Sequence, residues 1–268
     1  GTQTALTPVQ KAGSWAISPL RNFLSDVTSL GRTRNKIERL QAENDKLRLS
    51  LQNRKNADAL LKQLKGVLDL AGTAGYKVVG AKVISQGSTT SFTQSISIDV
   101  GSNSGVRSNM TVLSSYGIVG VVKYVYPNSA LVQLASDPAF RIGARIAGSQ
   151  QIGILSGQGT RRGVLQLLDN RTQIKKGDVL LARGSQGGRP FVPGVPIGSV
   201  TDVDNSPGAV TQTADVKFYT NFSTLGVVAV VVSGEGTDPR DALVPPKPIP
   251  TPIPTVTVFV TPSPSPTN

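Results

Sequence analysis

Histidine and cysteine are both absent from this chain of 268 residues. Without histidine the commonest general base, metal ligand and pH switch is missing, and no Ser-His-Asp triad can be assembled. Without cysteine there is no disulfide framework and no thiolate metal site, and the redox compartment cannot be read. Aromatic residues make up 5% of the chain. Nucleic-acid binding calls for basic clusters interleaved with exposed aromatics or a reading helix, and no such cluster is visible, so no nucleic-acid partner is expected. Long apolar runs are missing too, and the opening "TALTPVQKAGSWAISPL" is too polar for a signal peptide or a membrane span. Because the chain opens on Gly1 and not Met, the expectation is a truncated or processed form whose true N-terminus lies upstream. What is present is positive charge: 28 Lys plus Arg against 16 Asp plus Glu, a net +12. That balance favours anionic partners such as phospholipid headgroups or wall polymers, without choosing among them.

Three composition regimes follow one another. Residues 1–17 are expected to be a membrane-proximal segment. Ser18-Pro19 then offers an N-cap and a proline at the first helical position, and no further proline occurs before Ala71-Gly72. The spacing predicts one helix over 18–72, about 80 Å long at 1.5 Å per residue, which needs a partner along most of its length. From 76 to about 232 the texture changes to short Val/Ile-rich runs such as "YKVVGAKVIS", "GIVGVVKYVY" and "LGVVAVVVS", punctuated by Gly, Ser, Asn and Pro. Alternation at Phe92, Gln94, Ile96 and Ile98 and regular turn signals indicate antiparallel strands. Eleven such runs are too many for one small barrel, so the reading is two packed antiparallel β-barrels, 76–136 and 137–224, dividing near Asp137-Pro138. Residues 236–268, ending in "PPKPIPTPIPTVTVFVTPSPSPTN", read as a disordered Pro-rich tail that can adopt polyproline II but cannot bury a core.

Within the helix, Leu30, Ile37, Asn44 and Leu51 fall seven apart, and Leu40, Leu47 and Leu61 form a second strip. This is a dimeric coiled-coil seam, in which a buried Asn44 would fix register and oligomer state at a cost in stability. The register falters at Arg54 and Asp58 and resumes at Leu60, Leu64, Val67 and Ala71, a stutter. A single amphipathic helix lying on the barrels is the alternative. Residues 1–70 carry twelve Lys or Arg against six acids. Such a surface is either simply solvated or drawn to a nearby anionic membrane.

Catalytic groups are hard to find. Ser156 and Ser185 lie in glycine-rich stretches, but their only conceivable activators are Lys175 or Lys176 in the turn-like "IKKGD". "GILSGQG" is a fragment of a dinucleotide fingerprint with no helix after it. The Asp residues mostly sit at strand ends, where they cap turns. No catalytic residue, cofactor or metal site is therefore assigned.

Two segments carry a resemblance. In "DVGSNSGVRSNMTVLSSYGIVGVV" (99–122), Gly101, Gly105, Val106, Met110, Val112, Gly117, Val119 and Gly120 are similar to a glycine-punctuated hairpin of the MreC family of rod shape-determining proteins. In "KKGDVLLARGSQGGRPFVPGVPIGSV", Gly177, Asp178, Gly184, Pro193, Gly194, Pro196, Gly198 and Val200 resemble the family's second block, with Ala182-Arg183 in place of its usual Thr-Ser. The family's N-terminal membrane span is not in this sequence. The resemblance implies a non-catalytic scaffold of the cell-elongation machinery, anchored in the cell membrane with its bulk on the extracytoplasmic side. It implies a homodimer, with the capacity for higher self-association. The partners it implies are the elongation-specific penicillin-binding transpeptidase, its glycosyltransferase partner and the membrane protein MreD. The barrels would be similar to those of chymotrypsin-like proteases without the catalytic residues. In the family the last strand can return to the first barrel, which leaves 225–232 open between the two. Phe191 and Pro193, on the loop 184–194, are candidate partner-binding residues, with Phe191 tucked into the second barrel as the alternative. Competing functions are a serine hydrolase on a two-barrel fold and a periplasmic adaptor of a transport complex.

Overall fold

The structure is a computed structural model that describes residues 18–88, 93–168, 173–204, 211–234 and 238–248, with helical side chains from residue 34 onward. One helix, α1 (Ser18–Ala74), precedes twelve strands among the described residues. The chain divides into two compact units, Gly1–Lys62 and Gln63–Asn268.

In the first unit every described side chain from 34 to 59 is exposed. No described residue of the unit covers Leu40, Leu47, Leu49 or Leu51. Arg34 and Glu38, one turn apart, form an ion pair at 3.6 Å, which adds only a few tenths of a kcal/mol to an exposed helix.

The second unit opens with the last turns of α1 and contains two closed six-stranded barrels. The helix stops because Gly75 takes a left-handed φ of 75°. Its N–H then bonds the Gly72 carbonyl at 3.1 Å and the Tyr76 N–H bonds that of Ala71 at 2.9 Å, satisfying carbonyls the helix leaves open. The first barrel is built from β1 (Lys77–Gly87), β2 (Ser95–Ile98), β3 (Thr111–Ser114), β4 (Gly117–Val125), β5 (Ala130–Leu134) and β12 (Val227–Ser233). Its order is β1-β12-β3-β4-β5-β2, so the last strand does return to it and closes it between β1 and β3. The second barrel uses one continuous stretch: β6 (Arg141–Ile146), β7 (Ile152–Gly157), β8 (Arg162–Leu167), β9 (Val179–Ala182), β10 (Pro196–Asp204) and β11 (Thr213–Phe218), ordered β10-β11-β8-β7-β6-β9.

Strands β6, β8 and β11 alternate buried with exposed or half-buried residues, as expected when one face meets solvent. By contrast, β3 and Gly117–Val122 of β4 are buried on both faces. The outer face of this hairpin meets the second barrel. Gly117, at φ 139°, lies so close to the Pro196 carbonyl that a Cβ would collide with it. The Ser114 and Thr220 hydroxyls meet at 3.0 Å, and Thr220 also donates to the Ile118 carbonyl at 2.7 Å. Thr111 donates to the Pro190 carbonyl at 2.8 Å and accepts from the Val192 N–H at 3.1 Å. The four-residue run Thr111–Ser114 is too short to stand out as a strand in the sequence, and it is central to the junction.

Candidate interaction surfaces

Three of the sequence expectations change in the folded chain. The first concerns the resumed heptad. Leu64, Val67 and Ala71 do not continue an outward seam. Val67 and Ala71 are fully buried in the barrel core, and Leu64 packs against it. The cause is polar as well as apolar, because the Gln63 side-chain oxygen accepts from the N–H groups of Gly226 and Val227, both at 2.9 Å. Its amide also donates to the Thr224 carbonyl at 3.1 Å. Gln63 thus ties the last turns of α1 to the entrance of β12. The contacts of the helix change at this residue.

The second concerns Phe191. Its ring is 7% exposed and packs edge-on against Phe140, centroids 5.5 Å apart. It packs in the core, the reading given above as the alternative. Pro193 is half-buried, and its carbonyl accepts the Tyr76 hydroxyl. Burial, with the nearby Asp238 carboxylate adding to it, pushes the Tyr76 phenol well above its ordinary pKa.

The third is the tail. Disorder from 236 onward does not describe 238–246, where Asp241 accepts from Arg145 at 2.6 Å and from the Gly148 N–H at 2.8 Å, and Leu243 packs on the core. Composition hides such anchors, since one carboxylate and one leucine suffice. Residues 1–17 and 249–268, and the side chain of Leu30, lie outside the described residues.

Large apolar side chains are exposed both on the helix and on the barrels. Ile37, Leu40, Leu47, Leu51 and Leu61 are 50–64% exposed and sit on one strip with Asn44. Ile37, Leu40, Asn44 and Arg48 border a shallow depression of about 530 Å³. On the barrels, Ile84, Tyr116, Tyr124 and Tyr126 are exposed. The tyrosines were not singled out from the sequence, although the alternation in "GVVKYVY" places 124 and 126 on one face.

At the junction between the barrels lies a polar cleft of about 400 Å³ bordered by Gln86, Thr93, Gln94, Arg161 and Asn221. Beside it the Asp137 carboxylate accepts from Thr93, Gln133 and the N–H groups of Gln94 and Ala139 at 2.8–3.2 Å. Burial would push its pKa up, but these four bonds together hold it below the ordinary carboxylate range. Asp137 is thereby fully occupied in pinning 93–94 to 133–139. Of the serines considered for catalysis, Ser156 donates to the Val164 carbonyl at 3.4 Å across a strand pair. Ser185 precedes a short 3-10 turn. Among the described residues no group of three or more His, Cys, Asp or Glu could hold a metal.

The two closed barrels, the last described strand completing the first, coincide with a family pattern: residues 83–232 match the family model "Rod shape-determining protein MreC, barrel core". The chain belongs to the MreC family. Two curated relatives, both called cell shape-determining protein MreC, come from Listeria monocytogenes and Streptococcus pneumoniae. The Listeria relative is 31% identical over 176 residues, covering 63% of this chain and 59% of its own length. The Streptococcus relative is 28% identical over 230 residues, covering 83% of this chain and 82% of its own. A solved MreC structure from Pseudomonas aeruginosa superimposes with a TM-score of 0.51 at 30% identity, covering 58% of this chain and 99% of that one. In this MreC-family chain the second sequence block runs along β9 and β10. Ala182, at the departure from the family's Thr-Ser, is fully buried in β9, a site that suits a small apolar residue.

Proposed function

We propose that this chain is a non-catalytic scaffold of the bacterial elongation machinery that maintains cell shape by pairing through its helix and presenting its barrels to wall-synthesis enzymes. The observation that carries it is the strip Ile37, Leu40, Leu47, Leu51 and Leu61, half or more exposed and with Asn44 among them. An apolar stripe of this length on a helix calls for a matching helix, and a second copy supplies one with Asn44 facing Asn44. The stretch that pairs ends at Leu61, since Gln63 and the residues after it are engaged by the barrels. The partners are those that family membership suggests: the elongation-specific penicillin-binding transpeptidase, its glycosyltransferase and MreD, on the extracytoplasmic side of the cell membrane. No helix among the described residues is long and apolar enough to cross a membrane. Sedimentation of the chain beside Leu47→Asp tests the pairing, and a monomer in both cases removes it. Co-purification with the cognate transpeptidase in mild detergent tests the scaffold role, and no recovery of that enzyme counts against it.

A further inference from the structure

Residues 238–246 form a strap that belongs to neither barrel's sheet. Its own turns hold it in shape: the Arg240 N–H bonds the Asp238 carboxylate at 2.8 Å, and the Ala242 and Val244 N–H groups bond the Pro239 and Asp241 carbonyls at 3.0 and 3.1 Å. Asp241 seats it on the β6–β7 turn, with one carboxylate oxygen on Arg145 and the other on the Gly148 N–H. Pro239 sits on Gly194, where any Cβ would strike its ring. Leu243 reaches the core.

The strap underfills the surface it covers. On one side Ala242–Pro246 leave open an apolar groove of about 510 Å³, walled by Leu70, Tyr116, Pro196 and Tyr219. On the other a polar cavity of about 540 Å³ remains around Arg145, Arg183 and Arg240, with Asp238 and Asp241 as its acids. Arg145 keeps a second terminal nitrogen, Nη2, buried and without a partner among the described residues. A buried guanidinium donor left unpaired costs stability. The surface therefore has one more donor, and more apolar space, than the strap uses.

We propose that the surface beneath the strap is a docking site for an extended peptide of a partner protein, one bearing a carboxylate followed within about five residues by apolar and prolyl side chains, with the strap occupying it in cis. The strap supplies the template, Asp-Ala-Leu-Val-Pro-Pro. A partner carboxylate would take the place of the Asp241 carboxylate on Arg145 and Gly148. Its apolar and prolyl residues would fill the groove in the manner of proline-rich segments on aromatic-lined surfaces. The site goes beyond the scaffold role and does not depend on the helix pairing.

The test uses the full chain and a fluorescent peptide of residues 238–248 as probe. In the variant carrying Asp241→Ala and Leu243→Ser the strap is loosened while the surface stays intact, which faster tryptic cleavage after Arg240 reports. Because a site occupied in cis lowers apparent affinity by its free fraction, the variant should bind the peptide at least about tenfold more tightly than the wild-type chain. Binding should vanish on adding Arg145→Ala, or when the peptide carries Asn for its Asp241. A melting curve establishes that the variant folds, and Asp241→Asn alone replaces it if it does not. Three results overturn the proposal: equal affinity in both chains, binding indifferent to the peptide's carboxylate, or cleavage after Arg240 unchanged by the substitutions. Strap exchange between copies is a fourth. In this cysteine-free chain a disulfide between Arg145→Cys in one copy and Asp241→Cys in a differently tagged copy would detect it, and would assign the surface to self-association.

Discussion

Helix α1 carries the same apolar pattern along two stretches that meet different fates. In 37–61 Ile37, Leu40, Leu47, Leu51 and Leu61 are exposed, whereas in 64–74 Val67, Ala71 and Ala74 are buried and Leu64 packs on the core. Periodicity specifies a face but not its occupant. What separates the stretches is Gln63, whose amide bonds three backbone groups of the 224–227 segment. Gln63 thus marks the residue from which α1 is held by the strands of its own unit.

The comparison is broken most directly by placing a charge in each stretch. Val67→Asp buries an unpaired carboxylate at a fully enclosed site, and should cost about 3–5 kcal/mol in denaturant unfolding of the barrel unit. Leu47→Asp should leave that transition within about 0.5 kcal/mol of wild type while abolishing self-association in sedimentation. Equal effects of the two on unfolding would erase the distinction.

Gln63→Ala sharpens the boundary. It leaves the Gly226 and Val227 N–H groups without their acceptor, so about 1–3 kcal/mol of stability should be lost, with Gln63→Glu recovering part of it because an acceptor oxygen returns. A smaller effect is expected from acid. Asp137 has a folded pKa below its unfolded one, so its contribution is present above the ordinary carboxylate pKa and drains away as pH falls through the folded value. Asp137→Asn should flatten that part of the stability profile between pH 7 and acid, measured as urea midpoints, and an unchanged slope would show that the four hydrogen bonds are not what depresses the pKa. The gentlest change is Asn44→Ile, expected to raise the melting temperature of the helical pair while loosening its register or oligomer state, as read by cross-linking and sedimentation.

Much of the architecture was legible because strand-period alternation and turn residues are local signals. Pro, Gly and Asn punctuate nearly every strand, and a barrel reading follows from counting the runs. β3 was lost because four residues carry too little alternation. Phe191 was ambiguous because an aromatic beside prolines looks the same whether it packs inward on Phe140 or outward on a partner. The strap looks like tail in the sequence because proline dominates its composition, although Asp241 and Leu243 hold it.

By itself the sequence determined a long helix with an apolar strip around Asn44, β-barrels built of short strands, and a chain with no histidine or cysteine for chemistry. These follow from composition and from periods that the backbone imposes within a few residues. Tertiary structure alone decided that β12 closes the first barrel, that α1 changes partner at Gln63, and that Asp241 meets Arg145. Each joins groups that lie 96 or more residues apart in sequence. No local pattern encodes such pairings, because they exist only once the barrels have closed and brought those backbones together.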